Sequence, residues 1–279
     1  MNVNSNHLLL GLLLSSGISL VAYWRESLSA SGIVGAVLTG TLIFGLGGWL
    51  WGWLLIAFFI SSSVLSHYRE LEKQSTIAAF EKGGQRGLGQ ALANGGLGML
   101  LAIIAALRPS PVLFLAFLGA MAAVTADTWA TELGVLSRKP PWLITTGHRV
   151  PPGTSGGITL MGTAASVAGG GFIGLIAYGL VWGGLRLGVA ATVREETNWI
   201  FEAAVAGFIG ALFDSLLGAT LQQVYYCNSC GKETERRVHH CGNRTRPLHG
   251  LPWLNNDVVN FLSSVVGSLV AVGLGTFVG

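Results

Sequence analysis

Asp127, Asp214 and Asp257 are the chain's three aspartates, and none lies in a stretch that reads as a solvated loop. Asp127 is embedded in AAVTADTWATELG and Asp214 in FDSLLGATLQQ, while Asp257 opens the last apolar run behind Asn255 and Asn256. An ionised carboxylate in such surroundings is costly unless a cation, a metal or water reaches it. With Glu132 and Asn256 added, these residues form a hard oxygen set of the kind that holds Mg²⁺ beside substrate phosphates. Asn94, one helical turn from Gln90 in another apolar run, brings a further amide oxygen to a similar depth. Beyond Asp127 comes GTSGGIT, with Gly153, Thr154, Ser155, Gly156 and Gly157 just ahead of the next apolar run. A helix start of that kind presents free N–H groups to an anion. No Gly-Lys-Ser/Thr follows, so it is not the common nucleotide-binding loop. Arg86 and Arg149 offer positive charge against a polyphosphate. The chemistry these types point to is Mg²⁺-dependent transfer of a phosphoryl group. Taken singly, each residue also has a plain reading, as a polar group tied off in a helix bundle or a charge that sets topology.

A second group has metal-ligand spacing. Cys227 and Cys230 form a CxxC pair, followed by His239, His240 and Cys241. That is a zinc-knuckle pattern. The expected ligands are Cys227, Cys230, Cys241 and His240, with His239 as the alternative to His240. Four protein ligands would make the site structural. The competing reading is three reduced thiols with no metal.

The elements that must carry these residues follow from composition. Of 279 residues 51% are hydrophobic and 10% charged, far below the roughly 25% charged residues of soluble domains. The fold class expected is all-α, a polytopic helical membrane protein with broken or short helices near the active site. Apolar runs long enough to span a bilayer fall near 7–24, 31–47, 48–66, 89–107, 111–136, 158–184, 200–222 and 257–278, making about eight transmembrane helices in one integral-membrane domain over 1–279. The second and third runs crowd around Gly47 and Gly48 as a bent hairpin. The first run lacks a basic leader and a cleavage site, and is read as a retained span. With the N-terminus outside, thirteen of the sixteen Lys and Arg residues fall at Arg25 or in the 67–88, 137–157 and 223–256 loops. Arg108, Arg186 and Arg194 fall on the other side. That bias puts the three aspartates in the cytoplasmic half of the membrane. The 67–88 loop reads as an interfacial amphipathic helix or an extension of the third span, and the 186–198 loop as solvated.

Several motifs taken together carry a resemblance. RGLGQALANG, ADTWATELG, VPPGTSGGITLMGTAAS, DSLLGATLQ, the CxxC loop and LNNDVVNF, in order over roughly residues 30 to 278, resemble the integral-membrane family of transmembrane protein 19 and plant phytyl-phosphate kinase. ADTWATELG also looks, more loosely, like the Asp-containing signature of the CTP-dependent membrane enzymes. The resemblance implies a kinase that converts phytyl phosphate, or a related isoprenyl monophosphate, to the diphosphate for tocopherol and phylloquinone synthesis. It implies Mg²⁺ and a nucleoside triphosphate, CTP or ATP, as co-substrate. The expected roles are catalysis for Asp127, Asp214, Asp257 and Arg86, and phosphate binding for the 153–157 run, Asn94 and Arg149. Asp127, Glu132, Asp214, Asn256 and Asp257 would hold Mg²⁺. The expected partners are the isoprenyl lipid, the nucleotide and membrane lipids, with no nucleic acid. The expected location is a bacterial inner or thylakoid membrane with the active site cytoplasmic and the lipid tail between the glycine-rich spans. An ion-coupled transporter is the alternative, since intramembrane acids and a diverged repeat also suit a carrier.

Overall fold

The computed structural model describes residues 5–69, 72–73, 85–183, 198–239 and 241–277. Among them, eight helices are long and apolar enough to cross a membrane. They are α1 (Ser5–Trp24), α2 (Ala30–Gly47), α3 (Trp49–His67), α4 (Leu88–Leu107), α5 (Pro111–Gly134), α6 (Leu160–Trp182), α7 (Trp199–Thr220) and α8 (Asn256–Phe277). These match the eight apolar runs. Gly48 alone separates α2 from α3, with φ of +83° and its N–H on the Phe44 carbonyl at 3.0 Å. A side chain there would strain the backbone, which is why a glycine makes so short a hairpin. Ser29 and Thr159 cap α2 and α6 through their side chains, and Pro111 opens α5 where its missing N–H costs nothing. The breaks expected near the site fall between helices, not within them.

Helix α5 is the axis of the bundle. Every residue from Phe114 to Ala126 is buried, and α5 packs against α3, α4, α6, α7 and α8. Lipid offers no hydrophobic drive for helices to associate, so contact depends on small residues that let backbones approach. A Cβ on Gly119 would lie 2.3 Å from the Gly267 carbonyl oxygen of α8. On α6, a Cβ at Gly170 or Gly174 would lie 2.5 Å or 2.4 Å from carbonyl oxygens of α7. At these positions the glycine faces are filled by neighbouring helices. Trp51 of α3 stacks on Phe117 of α5 with ring centroids 4.3 Å apart, sealing the α3 side.

The remaining structure gathers at one end. A two-stranded ribbon, β1 (Trp142–Leu143) against β2 (Gly157–Ile158), precedes α6. A three-stranded antiparallel sheet follows α7, with β3 (Val224–Cys227) between β4 (Lys232–Thr234) and β5 (Arg246–His249). Both lie at the end reached by the C-termini of α1, α3, α5 and α7 and the N-termini of α2, α4, α6 and α8, which is the end that carries the basic loops. Most of the 67–88 loop and residues 186–197 of the 186–198 loop lie outside the described residues.

The packing of α5 predicts an asymmetry between glycines. Gly119→Ala should cost about 1–3 kcal/mol through overpacking against backbone that cannot yield. Gly17→Ala, where a Cβ meets nothing within 4 Å, should leave stability unchanged or slightly raised. Thermal unfolding midpoints of both variants in detergent check this.

Candidate active site

The position of the two intramembrane aspartates follows from helix packing one turn away. A Cβ on Gly210 of α7 would sit 2.6 Å from the Ala123 Cβ of α5 and 3.2 Å from the Ser263 carbonyl oxygen of α8. Asp214 follows Gly210 by four residues and Asp127 follows Ala123 by four. Since α5 and α7 run in the same direction, both carboxylates project from the next turn at a similar depth. They line a common cavity of about 780 Å³. Helix α8 lays a polar stripe against it. The Ser263 hydroxyl donates to Asp214 Oδ2 at 3.1 Å, and the Asn260 amide donates to Asn94 Oδ1 of α4 at 3.4 Å. One turn nearer the helix start, Asn256 also faces the cavity, as do Gln90 and Asn94.

The Gly/Thr/Ser run forms a second wall. Gly153 and Gly156 have φ of +89° and +77°, which only glycine adopts without strain. At Gly156 a Cβ would lie 2.4 Å from Ala219 Cβ and 2.6 Å from the Ser215 carbonyl oxygen. The turn is therefore seated on the last turns of α7, immediately beyond Asp214. It leads through β2 to Thr159, whose hydroxyl accepts the Gly162 N–H at 3.0 Å and so caps α6. Gly153 to Thr159, with Thr163 and Ser166 from the first turns of α6, all border the cavity. Backbone amides, hydroxyls and a helix start are what phosphate oxygens require.

A third wall carries charge. Arg86 is fastened by its backbone, giving its N–H to Ser27 O and accepting the Ser29 N–H, both at 3.0 Å. A Cβ on Gly32 would stand 2.0 Å from the Arg86 carbonyl oxygen. The guanidinium lies 5.7 Å from the Phe59 ring centre and donates to Ser63 Oγ at 3.4 Å. Burial pushes it below its ordinary value and the Glu132 carboxylate draws it back up. Glu132 itself is engaged at both oxygens. Oε1 accepts from Ser66 at 2.6 Å and Oε2 from Lys73 at 2.8 Å, and the Lys73 side chain is completely buried.

Two residues expected at the site stand apart from the cavity wall. Asp257 follows Asn256, which takes the inward place, and so points about 100° further around α8. Its Oδ2 lies where a Cβ on Gly89 of α4 would be, 2.4 Å away. Arg149 pairs with Trp142 in a β-bridge, stacks on its ring at 3.6 Å and donates to the Pro140 carbonyl. It braces the 137–157 loop.

The structure brings Cys227, Cys230, His239 and Cys241 together, with ligand atoms all within 4.8 Å of one another. His240 lies outside the described residues. Cys227 Sγ and Cys241 Sγ are 3.7 Å apart, and His239 Nδ1 is 3.2 Å from Cys241 Sγ. A tetrahedral zinc with Zn–S near 2.3 Å separates its sulfurs by about 3.8 Å, whereas a disulfide is about 2.05 Å long. The spacing fits a metal. The Asn243 backbone N–H and the His239 side chain draw the Cys241 thiol down to about 6, while hydrogen bonding to Cys241 pushes Cys230 up to about 11.

Among the cavity residues not singled out from the sequence are Gln222, Glu235 and Arg236. Glu235 Oε1 accepts from Ser155 Oγ at 2.6 Å and from Gln222 Nε2 at 2.7 Å. KETERR reads as a solvated charge run. The available signal was its place between the CxxC pair and the His/Cys pair, whose closure must fold that run back on itself.

Eight spans, with a cavity of carboxylates, amides and a glycine turn toward one end, define an integral membrane protein. The chain belongs to the integral membrane protein DUF92 family, whose model matches residues 13–268. It is 34% identical over 278 residues to Protein PGR of Arabidopsis thaliana, covering 94% of each chain. A membrane protein of Methanocaldococcus jannaschii is 30% identical over 265 residues, covering 95% of this chain and 93% of its own. Protein VTE6, chloroplastic, of Arabidopsis thaliana is 28% identical over 259 residues, covering 90% of this chain and 66% of its own. No solved structure matches.

The Lys73–Glu132 pair gives a stability prediction. Among the described residues, Glu132→Ala leaves the buried Lys73 ammonium with the Leu65 carbonyl at 2.5 Å, and should cost about 3–5 kcal/mol. Lys73→Met with Glu132→Leu should recover most of that loss. A double-mutant cycle on thermal or denaturant midpoints tests the coupling.

Proposed function

We propose that this protein is a membrane kinase that phosphorylates an isoprenyl monophosphate, phytyl phosphate or a relative, to the diphosphate. The observation that carries this reading is the placement of Asp127 and Asp214 on adjacent helices, in one cavity, directly below the 153–159 turn. The kinship with the phytyl-phosphate kinase family supports the substrate class. Loss of Asp from these positions is predicted to cost most.

Asp127, Asp214 and Asn256 offer only oxygen, the donor type Mg²⁺ prefers. These residues would hold Mg²⁺, which would supply charge neutralisation. The 153–159 turn and the start of α6 receive the nucleotide phosphates through backbone N–H groups and hydroxyls. Arg86, held by its backbone to the α1–α2 connection, meets charge developing on the transferred group. A monophosphate oxygen of the lipid attacks the terminal phosphorus of the nucleotide, and the nucleoside diphosphate leaves. The acceptor is already an anion, so alignment and charge neutralisation are most of what the protein must provide. CTP is the proposed donor, with ATP the alternative. Asp257 and Arg149 act around the site by bracing α4 and the 137–157 loop. Cys227, Cys230, His239 and Cys241 hold a structural zinc. The whole chain is one membrane unit, with 223–256 an elaborated loop. The bias of basic residues toward the cavity end supports a cytoplasmic active site and an outside N-terminus, in a bacterial inner or thylakoid membrane.

An ion-coupled carrier remains a second reading because of one observation. Glu202, in the first turn of α7 at the opposite end, is only 2% exposed, and buried acids on both sides of a membrane suit a transport path. Uptake of phytyl phosphate or a small anion into proteoliposomes without nucleotide would favour it.

Purified protein with phytyl phosphate, Mg²⁺ and CTP or ATP is expected to form phytyl diphosphate. Asp127→Asn and Asp214→Asn should each lower kcat by about 10²–10³ while the protein still inserts. Asp257→Asn should leave turnover within a few-fold. Normal turnover in both the Asp127 and Asp214 variants would end the proposal.

A further inference from the structure

We infer that the metal knuckle is a positioning device for the cavity, which sets the 153–159 turn through Glu235. This deepens the kinase reading and rests on it for its effect on nucleotide binding.

The argument starts from chain order. Cys227 and Cys230 lie five or more residues before Glu235, and His239 and Cys241 lie four or more after it. One ion bound by all four therefore closes the segment that carries Glu235 and Arg236. The ligands close from both sides. On the first, β3 leads to Cys227, and Gly231, at φ of +64°, gives its N–H to Cys227 O at 2.9 Å to turn the chain into β4. On the second, His239 N–H bonds to Asn243 O at 3.0 Å and Gly242 N–H to His239 O at 2.8 Å, carrying Cys241 back toward Cys227. Thr245 Oγ1 bonds the Arg236 carbonyl at 2.8 Å. Three residues of β4 span only about 10 Å, so the ligand cluster and Glu235 lie at the two ends of one short strand.

Without the ion, this segment depends on strands of three and four residues. A sheet that small, with β4 and β5 largely exposed, is marginal in water. Binding a metal to such a segment is equivalent to folding it. What the fold then delivers is a carboxylate oxygen that accepts from Ser155 Oγ at 2.6 Å and from the buried Gln222 at 2.7 Å. Ser155 lies between the two positive-φ glycines of the turn, and Gln222 follows the end of α7. Glu235 thus ties the phosphate-facing turn to the helix that carries Asp214. It is a positioning residue, since the Ser155 hydroxyl it holds belongs to the turn that faces substrate.

The test reads metal content and backbone motion separately from catalysis. Untagged protein should contain one zinc per chain by elemental analysis, and Cys230→Ser should contain less. Hydrogen exchange is then followed with zinc bound and after stripping with a membrane-permeant chelator. Stripping should speed exchange in 231–249 and also in 153–159, by on the order of tenfold for a lost hydrogen bond to a charged group, with no change in α2. Glu235→Gln should keep its zinc yet show the faster exchange in 153–159, and should raise KM for the nucleotide more than it lowers kcat. Absence of zinc, or another metal in its place, overturns the site. Zinc present with unchanged exchange at 153–159 on stripping and in Glu235→Gln overturns the positioning role. If no nucleoside triphosphate is turned over but exchange responds as expected, the kinase reading fails and the knuckle's role stands.

Discussion

The close approach of α5, α7 and α8 is the constraint on which the site depends. Two ionisable side chains at the same depth in a membrane protein require their helices to meet at backbone distance one turn away. Gly207, Gly210, Gly119 and Gly267 supply that, meeting Ala122, Ala123 and each other's carbonyls where any side chain would collide. Small residues alone would make a dry seam. Toward one end the facing positions change from Ala and Gly to polar residues: Asp127, Asp214 and Asn256 line the cavity, while Asn260 and Ser263 are buried on α8 and bond Asn94 and Asp214. The transition occurs within a single turn of each helix. The protein thus keeps its polar cluster toward one end and its tight packing deeper, where unsatisfied polar groups cost most.

That arrangement also explains which charges are neutralised within the chain. Glu132 lies nearest the exit of α5 and is matched by an engulfed lysine and a serine hydroxyl, so its carboxylate secures the segment after α3 to α5. Asp214 accepts a hydroxyl hydrogen bond from Ser263, and the cavity it shares with Asp127 is lined largely by hydroxyls, amides and backbone groups. Both Asp127 and Glu132, five residues apart on α5, border the cavity, and Glu132 in addition ties the segment after α3 to the bundle.

The span pattern and the intramembrane acids were legible in the sequence because both are one-dimensional signals. Runs of apolar residues report bilayer thickness, and an Asp within such a run stands out against its surroundings. The Gly-rich turn and the CxxC pair were legible for a similar reason, since a turn and a knuckle are local in the chain. What could not be read was which of two adjacent residues faces inward. Asn256 and Asp257 differ by about 100° of helix rotation, and only the packing of α8 on α4 decides between them. The stacking of Arg149 on Trp142 was not legible either, because the two meet across a ribbon. Glu235, Arg236 and Gln222 were hidden for the opposite reason: their types suit a solvated loop, and the contacts that bring them to the cavity span 80 residues in the case of Ser155.

A loop outside the membrane would ordinarily be free to vary, and the 223–256 segment is too short to build a core of its own. Its strands offer few buried side chains, chiefly Val224, Cys227 and Thr234. Apolar burial on that scale cannot offset the entropy of ordering some thirty residues. Contacts to the bundle and within the segment add to that burial: Glu235 accepts from Ser155 and Gln222, Gln223 Nε2 donates to the His249 carbonyl at 2.8 Å, and Leu254 is buried with Leu217 and Val259. The Cys/His group lies at the other end of β4 from Glu235, so one short strand links the thiols to the 153–159 turn.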